Sequence, residues 1–338
     1  MHQITAIFED AESISFPARP DEIVYQAAYR AGMLLEHDCL EGACGTCKAL
    51  CTQGEFALDD YSDEALSDDE RALGYTLLCR MTASTPCVLE LPYPSSHIGA
   101  QAPQWRAATL ASVEMVSASV ARTVLHLEGD ALRFQPGQYL NLEIPGTQTL
   151  RSYSFANLPG TQEIELFQKV YAQGAMSDCL RAWVGQGGAP AAAIRVKGPA
   201  GHFYLRPPRR PVLMVAGGTG LGPMLAMLRS LEQSGTVDVP LHLLLGANQA
   251  GEFFATEELA RLAQTLPLTV ERIALEAEGG QGACGHVTSL LRSELLHGGD
   301  CDAYLCGPPP MIEAAAGWLR QQQVPQERIH AERFVAGV

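Results

Sequence analysis

No stretch of this 338-residue sequence is apolar for long enough, without interruption, to read as a membrane span. The nearest candidate, residues 211–228, is uncharged but carries Gly217, Gly218, Gly220, Gly222 and Pro223 in its middle. Strand, loop and helix is therefore the better parse. Nothing in Met1-His-Gln-Ile-Thr-Ala-Ile-Phe8 has the form of a secretory signal, so the ten cysteines are expected reduced, in a cytoplasmic protein without a membrane partner. Basic residues are scarce, 23 against 38 acids, giving a net charge of −15. The deficit is local: residues 1–100 hold 17 acids and 5 bases, and Asp59 to Glu70 holds seven acids and no base. Such a field disfavours nucleic acid and suits a partner with a basic docking patch, a solvated loop being the plainer reading of the 59–70 segment. Internal repeats and low-complexity tracts are missing too.

What is present begins with cysteine. Cys39, Cys44 and Cys47 are spaced C-x4-C-x2-C, with Gly42, Ala43, Gly45 and Thr46 between them, and Cys79 follows on the apolar segment Tyr75-Thr-Leu-Leu-Cys79. Four thiolates arranged three-plus-one are what a [2Fe–2S] cluster of the plant type needs as metal ligands. Small residues between them let backbone N–H groups approach the sulfurs and offset their negative charge. A structural zinc site usually takes two C-x2-C knuckles, and only one exists here. A disulfide framework suits a shorter secreted chain. Cys51, a fifth cysteine nearby, is expected to be a buried free thiol.

The length is a prior for two or three domains, and 47% apolar residues suffices for a core in each. Residues 2–8, 13–17 and 88–91 read as strands and residues 22–31 as a helix capped by Asp21, wrapped around the cysteine loop as in an α+β, β-grasp ferredoxin. Residues 106–113, 122–127, 138–144, 151–155 and 163–170 are short alternating strands, the pattern of an antiparallel β-barrel. Beyond them, apolar runs at 212–216, 241–245, 268–273 and 303–306 alternate with helix-length stretches, as in an α/β parallel-sheet domain. The expected organisation is multidomain: a 1–94 ferredoxin-like domain, a 95–104 linker, a 105–208 antiparallel β-barrel and a 209–338 α/β parallel-sheet domain.

The segment Asp38-Cys39-Leu-Glu-Gly-Ala-Cys44-Gly-Thr-Cys47, followed by the acidic run from Asp59 to Glu70, resembles the electron-transfer reductase of two-component Rieske ring-hydroxylating dioxygenases, of the benzoate, toluate and anthranilate branch. Later motifs extend the resemblance over most of the chain. Arg151-Ser-Tyr153-Ser154 is similar to the R-x-Y-S flavin motif of the ferredoxin–NADP reductase superfamily, which implies Arg151 on the pyrophosphate, Tyr153 on the isoalloxazine and Ser154 near its reactive nitrogen. Gly174-Ala-Met176-Ser177-Asp-Cys-Leu180 resembles the second flavin motif, a glycine turn feeding a helix whose N–H groups face phosphate. Gly198-Pro-Ala-Gly201-His-Phe203 also fits the pattern, and FAD is implied rather than FMN.

Gly217-Gly218-Thr219-Gly220-Leu-Gly222-Pro223 fails the strict G-x-G-x-x-G test, because Pro223 stands where the last glycine should be. It resembles the G-G-T-G-x-x-P loop of the same superfamily, whose backbone cradles the dinucleotide pyrophosphate; close packing alone is the other reading of such a turn. Cys306-Gly307-Pro-Pro-Pro-Met311 resembles the C-G-P-x-x-M element beside the nicotinamide, and Glu332-Arg-Phe334 the Glu-x-aromatic that covers the flavin, here followed by four further residues. The catalytic set implied is Ser154, Cys306 and Glu332. After the second strand of the last segment no Arg or Lys occurs before Arg261, which favours NADH over NADPH. The resemblance thus implies an NADH-dependent oxidoreductase passing electrons through FAD and the [2Fe–2S] cluster to a Rieske oxygenase. The alternative is the reductase of a soluble diiron monooxygenase.

Overall fold

The computed structural model describes the chain except residues 38, 39, 44, 64, 96, 97, 99–103, 186–193, 202, 236, 277–283 and 335–338. It divides into two compact units, Met1–Pro103 and Gln104–Val338.

In the first unit, β1 (His2–Ile7) and β2 (Ser13–Ala18) form an antiparallel hairpin whose alternation buries Ile4, Ala6, Phe16 and Ala18. Helix α1 (Val24–Arg30) lays Val24, Tyr25, Ala27 and Ala28 into the same core. Asp21 does not cap it, contrary to expectation. The helix starts later, at a cap position held by Ile23, because Glu22 is used otherwise: its carboxylate accepts from the Arg19 N–H at 2.8 Å and from Arg30 at 2.8 Å. Strands β3 (Lys48–Gln53), β4 (Phe56–Leu58), β5 (Tyr75–Leu77), β6 (Met81–Ala83) and β7 (Cys87–Glu90) complete a mixed sheet in the order β2-β1-β7-β3-β5 and a β4-β6 ribbon.

The acidic run is more than a solvated loop. Ser67 and Glu70 form a reciprocal capping box that starts α2 (Asp68–Ala72), and Lys48 donates to Glu70 at 2.6 Å. Three carboxylates thus crowd the first turn, where the helix dipole favours them.

The second unit opens with an antiparallel sheet: β8 (Gln104–Met115), β9 (Val120–Leu127), β10 (Tyr139–Glu143), β11 (Leu150–Ser154), β12 (Glu163–Lys169) and β13 (Ile194–Ala200), in the order β11-β10-β13-β8-β9-β12. Its two edges meet. The Ala156 N–H, just past β11, donates to the Glu165 carbonyl on β12 at 2.9 Å, which rolls the sheet into a barrel. Helix α3 (Ala175–Gly185) sets Met176, Leu180 and Trp183 into the barrel core at helical spacing.

The parallel sheet follows, β14 (Val212–Gly217), β15 (Leu241–Gln249), β16 (Leu268–Glu276), β17 (Asp302–Gly307) and β18 (Ile329–Arg333), ordered β16-β15-β14-β17-β18. On central β14, Val212, Met214 and Ala216 face one core with α4 (Leu221–Ser234) and α5 (Thr256–Thr265). Leu213 and Val215 face another with α6 (Pro309–Gln321). Coverage on both faces is why the strand reads as an unbroken apolar run.

Candidate functional site

In the first unit, Cys47 and Cys79 are both buried, 4% and 5% exposed. Pairing of β3 with β5 and a Leu78 N–H donating to the Cys47 carbonyl at 3.0 Å bring them together. Their side chains are hydrogen-bonded, and Cys79 is drawn down to about 7, first by that bond, with the Gly42 N–H and the Arg80 charge adding to it against the cost of burial. Cys39 and Cys44, the other two expected ligands, lie outside the described residues.

The loop around them fits a cluster. Gly42 and Gly45 both take left-handed backbone, φ +72° and +73°, and a Cβ on Gly42 would stand 2.9 Å from Tyr61 Cβ and 3.0 Å from Arg80 Cγ. Glycine is what the crowded left-handed position at Gly42 requires. Cys51 is free and half-buried.

The second unit assembles the rest. Ser154, at the end of β11, donates to Glu332 Oε2 at 3.0 Å. Glu332 on β18 is in register with Cys306 on β17, and Gly307 with Arg333. The three expected catalytic residues, far apart in sequence, thus meet where the barrel faces the parallel sheet. Cys306 has no exposed surface, and burial, with the Glu332 charge second, pushes its thiol well up. It is a neutral wall, not a nucleophile. Phe334 is half-buried, its N–H donating to the Gly307 carbonyl at 2.8 Å and its ring packed on the apolar core. The four residues after it lie outside the described residues.

The two glycine-rich turns lie back to back. A Cβ on Gly220 would stand 2.7 Å from the Cys306 carbonyl carbon, one on Gly217 2.9 Å from Met311 Sδ, and one on Gly307 2.9 Å from Met311 Cε. Gly218 differs: at φ +55° a Cβ would meet nothing within 4 Å, so the outer side of the turn is open. Thr219 is half-buried, and Pro223 is buried in the first turn of α4. Packed glycines beneath and open space above make a cradle of the kind a dinucleotide pyrophosphate fills.

On the barrel, Tyr153 packs against the core that includes Met176, and burial pushes its hydroxyl up to about 12 despite a hydrogen bond with Gln168. Gly174 takes φ +136°, and buried Ser177 accepts from the Tyr171 N–H at 3.0 Å. Arg151 is half-buried and its Nη1 donates to the Leu150 carbonyl at 3.0 Å.

Two features complete the corner, one inside a motif and one outside all of them. Gly201, at φ +91°, would place a Cβ 2.8 Å from the Tyr139 ring and 3.5 Å from Glu332 Oε1, so its motif shapes the corner where Ser154 meets Glu332. Arg229 on α4 donates to the Ala156 carbonyl at 2.6 Å, to Glu165 and, bidentately, to Glu258 at 2.7 and 2.8 Å. It ties α4 to the chain two residues beyond Ser154. Its signal in the sequence is the only charge within the first eleven residues of an apolar helix.

Comparison with known proteins agrees with this division. Three family models match: a 2Fe-2S iron-sulfur cluster binding domain over residues 7–84, an oxidoreductase FAD-binding domain over 107–204 and an oxidoreductase NAD-binding domain over 214–317. The toluate 1,2-dioxygenase electron transfer component of Pseudomonas putida is 34% identical over 337 residues, covering 99% of each chain. This chain belongs to that family of dioxygenase electron-transfer components. Methane monooxygenase component C of Methylosinus trichosporium is 36% identical over 87% of each chain. The crystal structure of an Amycolatopsis cytochrome P450 reductase covers 98% of each chain at 25% identity and a TM-score of 0.65. As an electron-transfer component the protein is an oxidoreductase, binding a [2Fe–2S] cluster, FAD and NAD in three successive modules. No helix among the described residues is long and apolar enough to cross a membrane.

Proposed function

We propose that this chain is the cytoplasmic NADH-dependent reductase that feeds single electrons to the Rieske oxygenase of an aromatic-ring dioxygenase acting on a benzoate- or anthranilate-like acid. The observation that carries it is the meeting of Ser154, Glu332 and Cys306 beside the glycine cradle, on a chain that matches a toluate dioxygenase electron transfer component from end to end. When bound, FAD would supply the chemistry that links a two-electron hydride donor such as NADH to a one-electron [2Fe–2S] cluster.

The chain's own residues supply position and polarity. Ser154, oriented by Glu332, presents its hydroxyl to the flavin's reactive edge, and Cys306 lines the nicotinamide side as a small neutral wall. Arg151, Tyr153, Gly174, Met176 and Ser177 hold FAD, with Phe334 beside it. The backbone of Gly217, Gly218, Thr219 and Gly220, with Pro223 opening α4 and Gly307 behind, carries the nucleotide pyrophosphate. Cys39, Cys44, Cys47 and Cys79 ligate the cluster, and the modules run 1–94, 105–208 and 209–338 with a linker at 95–104. NADH is the donor because the end of β15 offers no base, and Arg261, the next one, is held by Glu232 at 2.6 and 2.9 Å.

A second reading, the reductase of a soluble diiron monooxygenase, is favoured by the likeness to methane monooxygenase component C. Anaerobic addition of NADH should bleach the flavin and reduce the cluster, and the reduced protein should then support turnover by a Rieske benzoate-type oxygenase. Turnover only with a diiron hydroxylase would decide for the second reading; a purified protein lacking flavin and sulfide would sink both.

A further inference from the structure

Cys51 and Cys87 take no part in the chemistry above, yet they are neighbours. They lie on adjacent antiparallel strands, β3 and β7. Cys51 stands opposite Leu89, and Cys87, two residues before Leu89, projects from the same face. A bulge between Cys51 and Gln53 shifts the register beside the pair. Both thiols face the turn at 53–55: the Cys51 thiol donates to the Gln53 carbonyl at 3.2 Å, and the Cys87 thiol to those of Thr85 at 3.3 Å and Glu55 at 3.6 Å. Gly54 closes over Cys87, for a Cβ on it would lie 2.7 Å from Cys87 Sγ.

We infer that Cys51 and Cys87 form a reversible thiol–disulfide pair, a peroxide-responsive modification site in the ferredoxin unit separate from the cluster ligands. The asymmetry of the pair gives it a direction. Cys51 is half-buried and Cys87 is 1% exposed, so an oxidant from solvent meets Cys51 first. Interaction with Cys87 draws the Cys51 thiol below its ordinary value, and interaction with Cys51 together with burial pushes Cys87 up, so the more accessible Cys51 is the nucleophile. Its thiolate attacks one oxygen of a hydroperoxide, forming an S–O bond, breaking the O–O bond and releasing water or alcohol once a proton is taken up. The Cys87 sulfur then attacks the Cys51 sulfenic sulfur, the S–S bond forms, and hydroxide leaves with the Cys87 proton as a second water. Two thiols lose two electrons and the peroxide gains them.

The bond would staple β3, which begins directly after Cys47, to β7. The test uses the full-length holoprotein with hydrogen peroxide as the probe, quenched by unfolding in N-ethylmaleimide and digested without reductant. Trypsin cuts after Lys48, Arg71, Arg80 and Arg106, so Cys51 and Cys87 travel on peptides 49–71 and 81–106, apart from all four expected ligands. A 49–71/81–106 linked species, lighter than the two free peptides by two hydrogens and reversed by dithiothreitol, is expected while the cluster's visible absorption persists. Cys87→Ala should lose the link and leave Cys51 as a sulfenic acid trapped by dimedone. Should peroxide oxidise the exposed Cys284 while Cys51 and Cys87 remain maleimide-labelled, or should Cys51 be found linked to Cys47 or Cys79, the pair is not a redox site. The wild-type map alone decides this if the variant fails to fold.

Discussion

Ser154, Glu332 and Cys306 each came to notice through a motif, but their meeting is not written in any one of them. It requires the register of β17 on β18, which sets Cys306 beside Glu332, and a barrel that ends β11 at the same corner. Distance in sequence hides such contacts, because a motif records residue type and local spacing only. Ser154 is the residue on which the proposed hydride chemistry turns. Ser154→Ala removes the hydroxyl that donates to Glu332 and that, in the proposed mechanism, serves the flavin edge as charge develops there. Stopped-flow reduction of bound FAD by NADH should slow by about 10²-fold, a typical loss for one such donor. The cluster, reduced chemically, should keep its spectrum. A wild-type rate in the variant would remove Ser154 from the catalytic set.

Helix α4 shows what can and cannot be read at the level of an element. Its start is legible, since an apolar strand, a glycine turn and Pro223 in the first turn leave little choice. So is the parallel sheet, whose runs are apolar throughout because both faces are covered. The cap of α1 falls at Ile23 and not at Asp21, because the Glu22 carboxylate serves the Arg19 N–H and Arg30, a contact that no local pattern reveals. What the pattern of α4 withholds is its attachment, through Arg229, to Ala156 and Glu165 of the barrel. Burial alone would raise the Glu165 carboxyl, but Arg229 and Arg122 together hold it below the usual range. Arg229→Met should therefore leave a mostly buried carboxylate with half its partners, at a cost of about 3 kcal/mol. A lower denaturant midpoint for flavin release would report this, together with slower flavin reduction as α4 loses its anchor to the flavin strand. An unchanged midpoint would mean that Arg122 alone compensates Glu165.

Across the whole molecule, two compact units carry unequal charge, −12 in residues 1–100 against −3 in the remainder. The modules were legible from motif order, because each cofactor demands its own backbone devices. Cys79→Ser should accordingly abolish the cluster and electron export while NADH still reduces FAD; loss of both would show that the units do not stand alone. Acid should act chiefly on the second unit. His330, on β18, packs its ring 4.9 Å from that of Tyr304, and burial, with Arg206 second, pushes it down to about 3. A histidine depressed in the folded state is neutral there and protonates more readily once unfolded. Its contribution is whole above the ordinary value of about 6.5 and is lost progressively as pH falls toward the folded value. Glu165 has the same sign at lower pH, being held ionised only while folded. Surface repulsion, which eases on acidification, works the other way but is small where the net charge is only −3. The thermal midpoint of flavin release should therefore fall between roughly pH 6.5 and 4.5. His330→Phe, which keeps the ring contact and removes the titration, should flatten that decline; an equal slope in both proteins would assign the acid lability to other groups.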